Sequence, residues 1–600
     1  MSATVNDRVA VAGVSIDEVA AEWVSRFAAA VEGLKLDMLD ELLIEEATWR
    51  DFVSFTWDLT HYIGRDEVRK ALARLAPAVG PRDFTVSSEQ GPVELDGNYF
   101  VFFDFVTKDR VNRGLATLTS VDGRWLAASV FTQIEGLSAI AWRVGEHRPE
   151  GKKHAVVKNR PKWAEARAEE AAFRDAEPSV VILGAGHNGL ALAARLRSLD
   201  VSTLVFDRNE RVGDTWRGRY EALALHSNVN VDDMPYYPFP PTWTAHTPKD
   251  KFADHLESYA RAMDLNVWTG TTLESASHDE STERWTLALR KTDGSHRTVH
   301  PRHFVVAAGL NGAPKFPAVE DLDVFEGETM HSDQYKEGSR FAGKHVLVVG
   351  AGVSAHELAQ DLYEYGACVT LLQRGETVVC SMKNYNSVNF GIYDAGLPAD
   401  SADLIAQSMP FPALTEVFQD GMRRCAEFDR DLLDRLEARG FKTSMGPNGT
   451  GPIGSHLHGK DSYQLDCGAS ELIANGSVKV KHGVEIAKAT KDGVVFTDGS
   501  ELAVDAIVFA TGYHSMLETI RPVLGDALRK IDRVYVLDEK GEQANVYRPT
   551  PQPGLWFATG FVGTARFNSK RLAALIAAVE NRIIPNGVLA HADPASGNSQ

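Results

Sequence analysis

Six hundred residues with 44% hydrophobic and 24% charged side chains is ordinary usage for a soluble chain, and the length suggests roughly three to four domains. A formal charge of −19 disfavours partners that select for Lys and Arg, nucleic acid and anionic membranes among them. Cys368, Cys380, Cys425 and Cys467 are scattered, with no CxxC pair and no zinc-ligand spacing, so neither a disulfide framework nor a metal site is expected. The start, MSATVNDRVAVAGVS, has no basic stretch followed by an apolar one, and no run is long enough to span a bilayer. The chain therefore reads as cytoplasmic, without a membrane anchor.

Residues 1–145 form a first unit. A helical stretch, IDEVAAEWVSRFAAAVEGLKLDMLDELL, precedes the alternating runs NYFVFFDFVT, RGLATLTSV and RWLAASVFTQIEG. Helices followed by strands predict an α+β unit with helices on one face of an antiparallel sheet. With the Trp49-Arg50-Asp51 step, the Gly64 turn and the closing Glu135-Gly136 pair, this order resembles the NTF2-like (SnoaL-like) cone fold. Asp51, Asp58 and His61 lie close in sequence; they fit either independent catalysis in that cone or an ordinary solvated segment. Residues 146–177 are charge-rich with proline at both ends and read as a linker carrying a short helix.

Two later segments echo each other. In PSVVILGAGHNGLALAARLRSLDVSTLVFDRN, an apolar strand leads into Gly184, Gly186 and Gly189, an alanine-rich helix and a second strand ending at Asp207 and Arg208. Gly184 permits the tight turn, Gly186 admits a pyrophosphate, Gly189 allows close helix packing, and the helix N-terminus offers N–H donors. Asp207 stands where a carboxylate accepts from ribose hydroxyls. In GKHVLVVGAGVSAHELAQDLYEYGACVTLLQRG, Gly350, Gly352, Ser354 and Ala355 repeat the turn, but Arg374 replaces the acid and could clamp a 2′-phosphate. The first turn suits FAD and the second NADPH; the bland reading of Arg374 is a surface arginine at a strand end.

Between them stands FEGETMHSDQYK, in which Phe325, Gly327, His331, Tyr335 and Lys336 fit the string FxGxxxHxxx(Y/F)K. Taken singly, each is a packing or surface residue. As a set with both glycine turns, VGDTWRGRY (Gly213, Thr215, Trp216, Arg217, Tyr220), HSNVNVDDMPYYPFP and Ala510-Thr511-Gly512-Tyr513, they resemble the class B flavin-dependent monooxygenases. Within that class the chain looks most like type II flavin-containing monooxygenases, which carry an N-terminal extension.

The resemblance covers residues 178–585. It implies an α/β flavoprotein with two Rossmann-like dinucleotide-binding domains, FAD at 178–335 and 506–600 (discontinuous) and NAD(P) at 336–505, with substrate-side loops in the latter. It implies FAD and NADPH as cofactors, NADH as well for the type II likeness, and O2 as co-substrate. A C4a-(hydro)peroxyflavin would then transfer one oxygen atom to a small organic substrate, by S/N-oxygenation or by Baeyer–Villiger oxidation of a ketone.

By motif, Asn228 of the Ser227-Asn228 pair and His331 are the catalytic candidates. Thr215, Trp216, His226, Thr511, Gly512 and Asn568 join the glycine turns as cofactor contacts. A C-terminal helix starting near Asn568 and Ser569 would aim its dipole at the flavin. The alternative is an uncoupled NAD(P)H oxidase or degenerate flavoprotein whose N-terminal unit serves binding or homodimer formation. A two-electron disulfide reductase is disfavoured, because no redox cysteine pair is present. MGPNGTGPIGSHLHGKDSYQLDCG lacks GxxxxGK[ST] and reads as a flexible substrate-side loop, with SMKNYNSVNFGIYDAG and the helix AEFDRDLLDRLEARG lining the same side.

Overall fold

The computed structural model describes residues 15–151, 154–460 and 462–584; the N-terminal stretch read for targeting signals and the last residues assigned to the FAD unit lie outside them. Among the described residues no helix is long and apolar enough to cross a membrane.

Alternation of apolar and polar residues builds the first sheet, of seven strands, in which Asn98–Val106, Arg110–Val121 and Arg124–Leu137 form an antiparallel meander. Leu43–Phe52 then adds to Arg124–Leu137 in parallel, a strand that the sequence pattern did not announce. Helices Ile16–Glu32 and Arg65–Val79 cover one face. Aromatic rings fill the space beneath them: Trp23 stacks on Phe27 at 4.9 Å, Phe84 on Phe105 at 4.7 Å, and Trp49 meets Phe55 edge-on at 4.9 Å. The α+β expectation holds, and the linker carries its short helix at Trp163–Ala172.

The two glycine-rich segments fold alike. In each, a buried apolar strand (Val180–Leu183; His345–Val349) enters a glycine turn and a helix (His187–Ser198; Val353–Glu364) and returns in a parallel strand (Thr203–Phe206; Cys368–Gln373). Each then sends out an antiparallel three-stranded sheet (Thr271–Asp279, Arg284–Lys291, His296–Val299; Ile486–Thr490, Gly493–Phe496, Glu501–Ala503). Each comes back in a strand beside its first one, His303–Val306 or Ala506–Phe509. These are two dinucleotide-binding units. Val267–Trp268 and Leu555–Phe557 form the edges of the first parallel sheet.

The expected boundaries between the units shift. Glu328–His331 pairs in parallel with Ala506–Phe509, from Glu328 opposite Ala506 to His331 opposite Phe509, and Ala506–Phe509 pairs with His345–Val349. A strand belongs where its ladder bonds go. Residues 328–331 and 506–509 therefore sit in the second sheet, although the sequence reading placed both in the FAD unit.

The glycine-rich 445–468 region is more ordered than a loop. It forms the helix Gly451–Leu457 and the strand Tyr463–Asp466, which pairs with Thr377–Ser381. The helix expected over AEFDRDLLDRLEARG is divided at Asp429 into Phe411–Phe428 and Arg430–Ala438. The Asp429 carboxylate turns away to accept from the Ser381 N–H and the Asn384 amide.

Candidate active site

Both glycine turns are built to leave room. At Gly184, whose φ is +108°, a Cβ would lie 2.4 Å from the Ala307 carbonyl oxygen, and at Gly189 one would lie 2.0 Å from the Gly184 oxygen. At Gly186 a Cβ would meet nothing within 4 Å. Two glycines are thus required by the fold, and the third faces open space beside the helix His187–Ser198, whose first N–H groups have no side-chain cap. The second turn repeats this: Gly350, φ +128°, would clash with the Ala510 oxygen at 2.3 Å, Gly352 stands at the uncapped start of Val353–Glu364, and Ala355 is fully buried in the packing position. Both cradles fit the pyrophosphate of a dinucleotide.

At the ends of the second strands the two units differ as expected. Asp207 accepts from the Ala185 N–H at 2.8 Å and the Asn209 N–H at 2.9 Å, so it braces the first turn as well as facing its rim. Arg208 is exposed beside it. Arg374 is 83% exposed and stands 3.6 Å from Glu485, a loose surface pair that leaves the guanidinium accessible. Ser354 is half-buried on the second helix. Thr215 accepts from the Asn209 amide at 3.0 Å, and Trp216 packs edge-on against Phe252 at 5.0 Å. Thr511 donates to the Lys315 carbonyl at 2.6 Å, at the C-terminal edge of the second sheet.

Three readings need correction. His331 is fully buried; its Nδ1 accepts from the Asp333 N–H at 3.1 Å and its Nε2 donates to the Gly512 carbonyl at 2.9 Å. Both nitrogens are spent in one neutral tautomer, and burial lowers its pKa. It is a structural histidine that ties the linker to the second sheet, not a catalyst. The rest of the string does similar work: Tyr335 donates to Asp361 at 2.5 Å, Lys336 to the Gly218 carbonyl, and a Cβ on Gly327 would strike the Phe325 ring.

Asn568 is the second correction. The C-terminal helix runs Val562–Glu580, so it starts well before Asn568, near Gly560, which accepts from His187 at 2.8 Å and Asn188 at 3.0 Å of the first turn. Asn568 and Ser569 are buried inside the helix, with Asn568 bonded to Arg571. The third concerns Asp51, Asp58 and His61, which are not a solvated segment: they are buried or half-buried and paired. Asp51 caps the Phe55 and Thr56 N–H groups, Asp58 pairs with Arg548, and His61 with Glu542. Those contacts are structural, which removes the basis for independent catalysis there.

Asn228 and His226 stand where the units meet. The Asn228 amide donates to Asp394 at 3.1 Å, as does Asn230 at 2.9 Å, and Ser227 donates to Asp232 at 2.6 Å. His226 Nε2 lies 2.5 Å from Glu357 Oε1, while the Tyr220 hydroxyl donates to Glu357 Oε2. Burial works against a charge on His226, but the Glu357 bond and charge prevail and raise its pKa. One ligand atom each of His226, Glu357 and Cys467 lie within 4.8 Å of one another. Burial, with Glu357 and Asp466 near, pushes the Cys467 thiol up to about 12, so it stays protonated.

Next to Asn228 opens a cavity of about 430 Å³, with Phe239, Trp243 and Tyr393 as aromatic walls and Asp233 and Asp394 as its acids. Arg566 passes beneath, but its charge is taken by Asp403 in a buried two-bond pair at 2.7 and 2.9 Å. Sequence reasoning found Asn228 but missed Glu357 and Asp394, whose partners lie 131 and 166 residues away.

The family model for pyridine nucleotide-disulphide oxidoreductases matches residues 181–389. The chain is 34% identical over 354 residues to indole-3-pyruvate monooxygenase YUCCA1 of Oryza sativa subsp. japonica, spanning 58% of this chain and 80% of that protein. It is 31% identical over 340 residues to a probable indole-3-pyruvate monooxygenase, YUCCA4 of Arabidopsis thaliana, with 56% and 76% covered. Among solved structures, cyclohexanone monooxygenase with ε-caprolactone bound superposes with a TM-score of 0.51 at 19% identity, over 68% of this chain and 89% of the other, a likeness of fold.

Proposed function

This chain belongs to the flavin-containing monooxygenase family, enzymes that use FAD and NADPH, and from that premise we propose that it inserts one atom of O2 into a small, uncharged or cationic organic substrate held beside Asn228. The balance is substrate, NADPH, a proton and O2 giving oxygenated substrate, NADP and water. The observation that carries this reading is that the segment bordering the cavity, residues 228–230, is tied through His226 to Glu357 on the helix that follows the second glycine turn, while both turns keep uncapped helix N-termini. FAD, when bound, supplies hydride acceptance and O2 activation.

The protein's part is to bind, orient and shield. Gly184, Gly186, Gly189 and Asp207 with the helix His187–Ser198 would hold FAD; Gly350, Gly352, Ser354 and Arg374 would hold NADPH. The Asn228 amide, steadied by Asp394, offers an N–H to developing negative charge. Asp233 and Asp394, with aromatic walls and no unpaired cation among the lining residues, favour neutral and cationic substrates over the 2-oxo acids named for the plant relatives. Sulfides, amines and ketones all satisfy that condition. The N-terminal unit, which we read as NTF2-like, buttresses this side: Arg50 donates to the Gln407 and Met409 carbonyls, at and just past the end of the helix Ala399–Gln407 that borders the cavity.

The test is ¹⁸O₂ labelling of the NADPH-driven reaction with a thioether, a tertiary amine and a cyclic ketone. One labelled oxygen per NADPH in any product supports the reading. Peroxide formed in step with NADPH and unlabelled products throughout would instead mark an oxidase. Arg374→Ala is expected to raise the KM for NADPH about tenfold or more and leave that for NADH within about twofold, an effect of about 1.4 kcal/mol on the phosphate contact; steady-state kinetics with both nucleotides checks it.

A further inference from the structure

We propose that Glu357 is a positioning residue: it ties the helix of the second nucleotide-binding unit to the segment of the first unit that carries Asn228, and thereby sets how the two nucleotides face each other. This rests on the monooxygenase reading above and adds a residue to it.

The geometry is specific. Glu357 lies five residues beyond Gly352, on the first turns of the helix that starts at the second glycine turn. Its side chain crosses to the other unit and is only 12% exposed. One carboxylate oxygen meets His226 Nε2 at 2.5 Å and the other takes the Tyr220 hydroxyl. A carboxylate with two donors and little water makes charge-assisted bonds, and its loss leaves both donors without an acceptor. His226 immediately precedes Ser227-Asn228, and its backbone carbonyl accepts from Asn386 at 3.0 Å, so its ring and its backbone are each held by the second unit. Tyr220 is buried and closes the VGDTWRGRY segment of the first unit.

Other bonds also cross this junction: Lys336 to the Gly218 carbonyl, the Glu221 N–H to the Lys336 carbonyl at 2.9 Å, Asn386 to the His226 carbonyl, and Asn228 and Asn230 to Asp394. Of these none comes from the nucleotide helix, and the linker's own bond to it, Tyr335 to Asp361, does not reach the Asn228 segment. Glu357 is the direct side-chain bond from that helix to the residue preceding Ser227-Asn228, so the facing of a nucleotide seated on the second turn and a flavin seated on the first depends on it. Misalignment by about an ångström is costly for a transfer between two bound rings.

The experiment uses the FAD-loaded full chain. Anaerobic rapid mixing with NADPH gives the rate of flavin bleaching at saturation and the NADPH concentration for half-maximal rate. For Glu357→Ala the saturating rate should fall at least tenfold while the half-saturating concentration stays within threefold, with flavin content and thermal midpoint near those of the native enzyme. Glu357→Gln, which keeps the shape and one acceptor, should recover part of that rate. Tyr220→Phe should slow bleaching too, and adding it to Glu357→Ala should cost nothing more.

A saturating rate within twofold of native in Glu357→Ala would overturn the proposal. So would a loss that follows flavin content alone, because that marks a purely structural role, or fully additive effects of the two substitutions. If the native enzyme is bleached by neither NADPH nor NADH, the monooxygenase reading fails and this inference with it; if it is bleached and Glu357→Ala matches it, only the inference fails.

Discussion

Gly186 and Gly189 stand three residues apart and differ in what a methyl group would do to them. At Gly189 it would meet backbone at 2.0 Å, so Gly189→Ala is expected to lower apo-protein stability by about 1–3 kcal/mol, the usual cost of overpacking. At Gly186 the space is open and φ is −80°, so Gly186→Ala should keep the apo-protein melting point but lose flavin. Thermal denaturation of apo-protein beside the flavin absorbance of purified holoenzyme separates the two. Asp232 is a second residue with a readable signature. Burial pushes its carboxyl up to about 7 against the Ser227 hydrogen bond, and its Oδ1 has no partner. A carboxyl raised in the folded state supports stability below its unfolded pKa, near 4, and loses that support as pH rises through about 7. The melting midpoint should therefore carry a downward slope between about pH 4 and 7 that Asp232→Asn removes; a slope unchanged in the variant would refute the assignment. The glycines were legible because their spacing is local and each spacing has one geometric meaning. Glu357 and Asp394 were not, because their chemistry arises from neighbours more than a hundred residues distant, and His331 misled because its motif position says nothing about where its two nitrogens point.

At the level of elements, the two strand–turn–helix–strand units could be read from sequence since buried parallel strands leave unbroken apolar runs. The C-terminal helix was misplaced for an equally physical reason. Its N-cap is Phe561, with no Ser, Thr, Asp or Asn to announce it, while the polar pair Asn568-Ser569 imitates a start signal nearly two turns too late. The same helix carries Arg566, whose pair with Asp403 joins it to Ala399–Gln407 at the cavity. Both side chains are almost fully buried, and removing one strands the other's charge. Asp403→Ala should cost about 3–5 kcal/mol, read as a lower denaturation midpoint, and should disturb turnover along with stability. A loss below about 1 kcal/mol would mean that water reaches the guanidinium.

Across the whole molecule, the N-terminal unit is joined to the flavoprotein by a continuous core. Phe52, Phe131 and Leu137 share a cluster with Leu190 and Leu572, and Arg571 lies over the Phe52 ring at 4.1 Å. Around that core run Arg548 to Asp58, Lys570 to Glu135, and Glu542 to both Arg50 and His61. Burial opposes the Glu542 charge, yet Arg50 and His61 hold its pKa at about 2. A depressed carboxylate contributes stability above its unfolded pKa, near 4.5, and that contribution is lost as pH falls toward 2. Glu542→Gln should thus flatten the acid side of the stability profile; an acid limb as steep as the native one would count against this bridge. The α+β character of the unit was visible from its alternating runs, whereas its attachment was not, since Arg50, Asp58 and His61 look in sequence like any solvated segment.

The order of strands in the two parallel sheets has a consequence for how the chain is made. In the second sheet Ala506–Phe509 lies between Glu328–His331 and His345–Val349, and the first sheet awaits Leu555–Phe557 for its edge. On a ribosome the N-terminal unit can close once residue 137 has emerged, but both nucleotide-binding sheets stay incomplete until translation has entered the last sixth of the sequence. For most of its synthesis the nascent polypeptide therefore carries unpaired apolar strands, a long interval of exposure to aggregation that a chaperone or a slow translation rate would have to cover.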